Sequence, residues 1–197
     1  MKFVIAGVQP ADDFVLEVAG EVPAGDSRGA AWFEALFQEQ YPRIVAMLAR
    51  LTGDRGHAEE IAADVFCKVA SRPALSKPEE LTPWVYRVAT NAGLDAVRSN
   101  VRRRRREQEA GVESVRAASN GGALEDLLRQ ERCGRVRAVL AMLKPREAQL
   151  LLLRADGLAY RDLAQTLGIQ PGSVGTLLAR AEAEFERKFR ARYGGEA

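Results

Sequence analysis

The sequence has little histidine, little cysteine and no long hydrophobic run. His57 is the one histidine and has no evident nucleophile partner, and Cys67 and Cys133 stand far apart without metal-ligand spacing. The sequence contains no glycine-rich phosphate loop. No segment approaches the roughly 18 apolar residues that span a bilayer, and no secretory signal pattern is present. We therefore expect a cytoplasmic protein that is not an enzyme, has no cofactor or metal and does not insert into membranes.

Charge is distributed unevenly along the chain. The 197 residues carry a net charge of only +2, which by itself does not indicate a nucleic-acid binder. Between Arg87 and Arg106, however, seven arginines accompany a single acid, Asp95. Five of these arginines are consecutive and repel one another, so contact with nucleic acid is favoured over a merely solvated helix end.

The first half of the chain has helical periodicity. Apolar residues recur at steps of three and four from Trp32 to Leu51, Gly53 ends this helix, and Asp54 is placed to cap the next. A second helix is predicted at about Gly56 to Ala70. The dipeptide Thr82-Pro83 predicts the start of a third helix, which runs into the arginine block.

The second half repeats this helical character after a polar, SNGG-containing segment that suits a linker. Pro145 can begin a helix that Gly157 ends. The composition as a whole predicts an all-α fold of two small helical domains, residues 30–106 and 124–193, joined by a flexible linker, 107–123, that permits closed and splayed arrangements. Residues 1–29 read as an extension, a weak hairpin or disordered, and 194–197 as a tail.

The pattern from Tyr160 to Arg187 predicts a helix-turn-helix. Such a unit needs a small residue where the helices cross, a glycine in the turn and an apolar inner face. Residues of these kinds occur in order: Ala164, Gly168, Val174 and Leu177. Pro171 to Arg187 would be the recognition helix, and the alternative is an ordinary helical hairpin in a bundle.

Aromatic residues precede the arginine block. Trp84 and Tyr86 could offer a platform for an unpaired base, which would suit single-stranded or melting DNA. The alternative, that these aromatics pack in the core, stays open.

Three segments together resemble the extracytoplasmic-function group of sigma-70-type sigma factors over about Trp32 to Tyr193. TGDRGHAEEIAADVFCKVA resembles the family's polymerase-binding helix, and TPWVYRVATNAGLDAVRSNVRRRRR resembles its minus-10 and melting segment. LKPREAQLLLLRADGLAYRDLAQTLGIQPGSVGTLLARAEAEF resembles its minus-35 domain. The resemblance implies an alternative sigma factor with a region 2-like and a region 4-like domain, which directs core RNA polymerase to promoters and aids melting.

The resemblance also implies partners and site residues. The partners would be promoter DNA and core polymerase, through its beta-prime clamp and beta flap, with an anti-sigma factor as a further candidate and a monomer as the free state. The polymerase-binding residues would be Glu60, Asp64, Phe66 and Lys68. The minus-10 residues would be Ser71, Arg72, Lys77, Trp84, Tyr86, Arg87, Asn91, Arg98, Arg102, Arg103, Arg104 and Arg105. The minus-35 residues would be Arg154, Tyr160, Arg161, Pro171, Gly172, Ser173, Thr176 and Arg180.

The sequence departs from the family where the recognition helix often carries basic residues. Gly175, Leu177 and Ala179 stand near those positions, which weakens direct base readout. Two alternatives therefore stay open. One is a helix-turn-helix regulator that dimerises on a palindrome without being a polymerase subunit. The other is a helical protein that has lost DNA binding and sequesters a partner.

Overall fold

Helices account for the regular structure in the part of this chain that the structure describes. The structure, a computed structural model, describes residues 27–71, 78–110 and 123–194. Within these ranges the chain forms seven α-helices and one 3₁₀ turn, Pro171–Ser173, which confirms the all-α prediction. The helices are α1 (Ser27–Thr52), α2 (Arg55–Ala70), α3 (Pro78–Glu109), α4 (Ala123–Met142), α5 (Pro145–Ala155), α6 (Tyr160–Leu167) and α7 (Val174–Tyr193).

Local signals set the α1–α2 corner as predicted. Gly53 has φ +76°, a left-handed conformation that ends α1 at little steric cost. The Asp54 carboxylate accepts a hydrogen bond from the His57 amide at 3.1 Å and so caps α2. Six apolar residues of α2 are buried at the three- and four-residue spacing of one helix face: Ala58, Ile61, Ala62, Val65, Phe66 and Val69.

The predicted start of the third helix is wrong. Thr82 was expected to cap a helix beginning at Pro83, but α3 begins at Pro78, and Pro83 lies inside it. Pro83 is the sixth residue of α3, beyond the first four amides that lack an intrahelical partner, so the helix forgoes one backbone hydrogen bond there. Leu81 is fully buried, and its burial holds the added turn against the core.

Gly93 allows α1 and α3 to approach closely. A Cβ atom at Gly93 would lie 2.7 Å from a Cδ2 atom of both Leu48 and Leu51. A side chain at this position would have to displace the methyl groups of these leucines. This close contact positions α3 against α1.

The helix-turn-helix forms with its inner face shifted by one residue. Gly168 has φ +61° and closes α6, as the turn pattern predicted. The recognition segment opens with the 3₁₀ turn, and only from Val174 is it α-helical. Leu177 was expected on the inner face but is half-buried, whereas Leu178 is buried beside Val174. Residues three and four after Val174 both border its face of α7, and the fourth, Leu178, is the one that packs into the core.

The two halves of the chain pack against each other through α3, which contacts α4, α5 and α6. This is the closed arrangement of the two that the linker permits. One apolar cluster joins the first three helices to Leu153, Leu163, Ala164 and Val174. A second cluster joins Leu51, Leu94 and Val97 to Leu140, Leu143 and Ala148.

Some predictions fall outside the described residues. These are most of the hairpin or disorder predicted for residues 1–29, most of the linker and most of the tail predicted for residues 194–197. Two predicted bounds are wrong, because α1 already begins at Ser27, within the predicted extension, and α3 continues through Glu109, into the predicted linker. Among the described residues, no helix is long and apolar enough to cross a membrane.

Candidate nucleic-acid interface

The end of α3 presents a band of exposed arginines, Arg102 to Arg106. Arg105 pairs with Glu109 at 2.8 Å, and Arg103 lies 3.7 Å from Glu107. Exposed pairs one helical turn apart stabilise a helix by only about 0.3–0.5 kcal/mol, so phosphates can replace the acids at little cost. Arg102 and Arg104 have no acidic partner among the described residues. The band therefore offers uncompensated positive charge on a rigid helix.

The aromatics at the start of α3 divide between core and surface. Tyr86 is 6% exposed and belongs to the core, where burial and then the charge of Asp156 raise the pKa of its hydroxyl. Trp84 is half-buried against the same cluster. Core packing therefore accounts for Tyr86, and Trp84 is the aromatic of the pair that keeps a partly accessible surface.

Three of the predicted minus-10 residues contact the second half of the chain. Arg98 donates to the Leu143 carbonyl at 3.4 Å, and Asn91 accepts from Gln149 at 2.5 Å. Arg87 donates to the carbonyls of Gln165, at 3.3 Å, and Thr166. The structure thus places these DNA candidates at an internal interface.

Ser71, another of the predicted minus-10 residues, lies at the C-terminal end of α2. The Ser71 hydroxyl donates to the Cys67 carbonyl at 2.9 Å and closes the last turn of that helix. Arg72 and Lys77 lie outside the described residues. Ser71, which was predicted to contact the minus-10 region, thus caps the C-terminal end of α2.

The predicted polymerase-binding surface is the exposed side of α2. Asp64 and Lys68 are exposed, and Glu60 lies 3.1 Å from His57. Phe66 is buried, with its ring 5.1 Å from that of Phe37 and edge-on to it. Phe66 thus supports the surface from behind and does not itself face solvent.

The second half places the predicted minus-35 residues around the start of α7. Pro171, Gly172, Ser173, Thr176 and Arg180 are exposed. The dipole of α7 places partial positive charge at this end of the helix, where phosphate oxygens bind well. This end of the domain suits contact with a DNA backbone.

A cation and an aromatic ring lie beside this helix start. The Arg154 guanidinium lies 5.4 Å from the centre of the Tyr160 ring, and its Nη1 donates to the Leu158 carbonyl at 3.2 Å. Tyr160 is exposed, and a Cβ at Gly175 would lie 3.8 Å from that ring. Arg161 is exposed on the next residue. Arg154 and Tyr160, two of the predicted minus-35 residues, thus contact each other beside the start of α7.

The contact between the two halves of the chain contains residues that the sequence pattern did not identify. Arg50 pairs with Asp156, and Arg137 donates to the Thr52 carbonyl at 3.1 Å. Burial raises the pKa of Asp156, and the charge of Arg50 lowers it by less. The Asp156 carboxyl therefore stabilises the contact between the two halves most at pH values below its ordinary pKa. This stabilisation is lost as pH rises through the raised pKa. Gln149, which contacts Asn91 across the same two halves, could have been predicted from the sequence, because it is a polar residue on the apolar face of α5.

Both halves of the chain match models of known protein families. The family model described as Sigma-70 region 2 matches residues 36–103, and that described as Sigma-70, region 4 matches residues 133–185. The ECF RNA polymerase sigma factor SigK of Mycolicibacterium vanbaalenii is 30% identical over 150 residues, 75% of this chain and 76% of that protein.

Other relatives are similar over much of their length. The ECF RNA polymerase sigma factor SigE of Mycolicibacterium smegmatis is 27% identical over 87% of this chain and 66% of its own length. The ferric citrate uptake sigma factor FecI of Escherichia coli is 28% identical over 82% of this chain and 92% of its own. The sigma factor RpoE, solved with the anti-sigma factor NepR from Bartonella quintana, is 21% identical with a TM-score of 0.43, over 80% of this chain and 96% of that one. The chain therefore belongs to the extracytoplasmic-function group of the sigma-70 family of sigma factors, which direct RNA polymerase to promoters.

Proposed function

We propose that this chain acts in the cytoplasm as an alternative sigma factor that does no chemistry itself. In this proposal α2 docks on the polymerase clamp, α3 holds the minus-10 region as it opens, and α6 with α7 contacts the minus-35 region. Residues 30–106 and 124–193 are the corresponding functional domains. Polymerase would hold both domains at a fixed spacing, so that two weak DNA contacts act at high effective concentration.

The observation that carries this proposal is the exposed arginine band at the end of α3. Each phosphate that an arginine neutralises releases counterions, and this release supplies affinity without sequence preference. The apolar face of α3 is fixed against α1 by Gly93, so the helix holds the band at a set distance from its own core. A rigid cationic rod of this kind suits the capture of a strand that is leaving the duplex.

The test is run-off transcription with purified core polymerase on a library of promoter fragments. We expect the full chain to give promoter-dependent transcripts. In the double variant Arg102→Ala/Arg104→Ala, promoter opening should weaken and its salt dependence should flatten. The logarithmic salt slope should fall by about 1.4, because each single-strand phosphate contact contributes roughly 0.7.

A matched control removes the same charge elsewhere. Arg129 and Arg132 are exposed on α4, and Arg129→Ala/Arg132→Ala should leave the slope unchanged. An equal loss of slope in both double variants would assign the effect to net charge and remove the role of the band. Association with polymerase without any promoter-dependent transcript would favour a partner-sequestering protein.

A further inference from the structure

A cavity of about 760 Å³ lies between α1, the start of α3 and the corner where α5 meets α6. Gln40, Arg43 and Arg50 line it from one face of α1. Protein cavities of roughly 300–1,000 Å³ commonly bind small molecules. Of the described residues that were predicted to contact polymerase or promoter DNA, Tyr86 alone lines the cavity, and its side chain is buried. The proposed function therefore does not use this cavity.

Gln40 is a buried polar residue in the α1 wall of the cavity, and it is only 5% exposed. Among the described residues, no donor reaches its buried Oε1 atom. A buried amide oxygen without a donor destabilises the folded state, because it has lost its hydrogen bonds to water. Leucine has a similar size and would avoid this loss, so stability does not explain the amide. A bound molecule that donates a hydrogen bond to Oε1 would explain it.

Asp162 adds a second acceptor to the lining of the cavity. It is exposed in the first turn of α6, and no basic side chain in the described part of the chain lies within ion-pair distance of it. An ionised carboxylate accepts hydrogen bonds and donates none, and the same is true of the Gln40 oxygen. The two groups together favour a ligand group with several N–H donors, such as an ammonium or a guanidinium.

Arg43 supplies a positive charge on the same wall. It pairs with Glu39 at 3.8 Å, and both side chains are more than 60% exposed. Such an exposed pair is weak, so Arg43 can bind another anion at little cost. Burial raises the pKa of both Tyr86 and Asp156, and the charge of Arg43 opposes that rise in each case, so its field extends into the cavity. Arg50, the other cation of this wall, is already paired with Asp156.

We infer that this cavity binds a small zwitterion, in which an ammonium or guanidinium group donates to Gln40 and Asp162 and a carboxylate pairs with Arg43. Free amino acids and short peptides carry both groups. The carboxylates of Asp156 and Asp162 in the wall would repel a polyanion such as the phosphate chain of a nucleotide. The inference does not rest on the proposed function, because the three binding side chains are not among the predicted polymerase or promoter contacts.

Nuclear magnetic resonance of the full chain locates the site, which needs walls from both halves. The probes are L-arginine and L-lysine, whose long cationic side chains can reach across the cavity from the carboxylate. Each should shift the side-chain amide signals of Gln40 in a saturable manner. Agmatine and cadaverine, which are arginine and lysine without the carboxylate, should bind about tenfold more weakly, because the charged pair with Arg43 is lost.

Matched variants test the acceptors by isothermal titration calorimetry with L-arginine. Gln40→Leu should weaken binding by about tenfold without lowering the midpoint of thermal unfolding. Gln38→Leu, the same substitution at an exposed position of α1, should leave binding unchanged. Asp162→Asn should also weaken binding by about tenfold, whereas Glu182→Gln at an exposed position of α7 should not.

The carboxylate contact has its own test. Arg43→Gln should make arginine and agmatine bind alike, because the ligand carboxylate then has no partner. The absence of a saturable shift with both probes, or equal affinity of the wild type for arginine and agmatine, would overturn the inference. Unchanged binding in Gln40→Leu would also overturn it. If circular dichroism shows that Gln40→Leu loses its helices, Asp162→Asn and Arg43→Gln decide the matter, since both change exposed positions, and unchanged binding in both would overturn the site.

Discussion

Glu184, on α7, accepts hydrogen bonds from both Nε and Nη2 of Arg187 at 2.8 and 2.7 Å. The Nζ of Lys188 lies 3.4 Å from the same carboxylate. The hydrogen bond from Arg187 and the contact with Lys188 lower the pKa of Glu184 to about 2. This ion pair spans one turn of the helix that carries the recognition segment.

A carboxylate with a lowered pKa stabilises the folded state fully above its ordinary pKa, and this contribution is lost as pH falls through the lowered pKa. We therefore predict that the Glu184 carboxyl carbon titrates at about pH 2 in an NMR titration. Arg187→Ala should move the midpoint upward toward 4.5, its ordinary value, because Lys188 alone remains. Arg190→Ala, which removes a neighbouring pair, should leave that midpoint in place; a shift of the same size there would contradict the assignment to Arg187.

At the scale of single elements, Gly93 and Gly134 occupy opposite environments inside helices. Gly93 in α3 lies against Leu48 and Leu51, whereas a Cβ at Gly134 in α4 would meet no atom within 4 Å. Alanine replaces glycine favourably in an open helical position by roughly 0.5–1 kcal/mol. In a closely packed position the added carbon must displace its neighbours.

We predict that Gly93→Ala lowers the free energy of unfolding by about 1–3 kcal/mol, and that Gly134→Ala raises it by about 0.5–1 kcal/mol. Denaturant unfolding followed by circular dichroism measures both. The pair separates packing from helix propensity, since the substitution is the same. Stabilisation by Gly93→Ala would mean that α1 and α3 are further apart than described.

Elements that depend on neighbouring residues were predictable from the sequence. The Asp54 cap, the buried face of α2 and the turn at Gly168 are each specified within a few residues. The start of α3 was not predicted, because Thr82-Pro83 imitates a capping pattern and the burial of Leu81 decides the matter. Local signals identify a possible helix start, and tertiary packing selects among them.

At the scale of the whole molecule, the contact between the two halves was not predictable. Arg87 and Thr166 are 79 positions apart, and nothing in the period of either segment indicates the other. The candidate DNA residues were identified by charge and resemblance, which are properties of single segments. Their present partners are helix-end carbonyls, which exist in every helix and leave no mark in the sequence.

We predict that Leu143→Ala loosens this contact. Leu143 is 3% exposed in the cluster that also contains Leu94 and Val97, and its truncation should cost about 2–5 kcal/mol of unfolding free energy. Amide hydrogen exchange should accelerate in α3 around Leu94. Leu128→Ala, at an exposed position of α4, should change stability by less than about 0.5 kcal/mol and leave α3 protection intact. Similar exchange in both variants would show that Leu143 does not hold α3.

Helix α3 is one continuous element of 32 residues, about 48 Å long at 1.5 Å per residue. Its beginning lies in the core, its middle meets the second half and its end carries the arginine band. Substitutions along this rod act locally, but a single inserted or deleted residue between Val97 and Arg102 would turn the whole band by about 100° relative to the core. Evolution can therefore exchange the exposed side chains of α3 while the number of residues upstream of the band stays fixed, because that number sets the direction in which the arginines point.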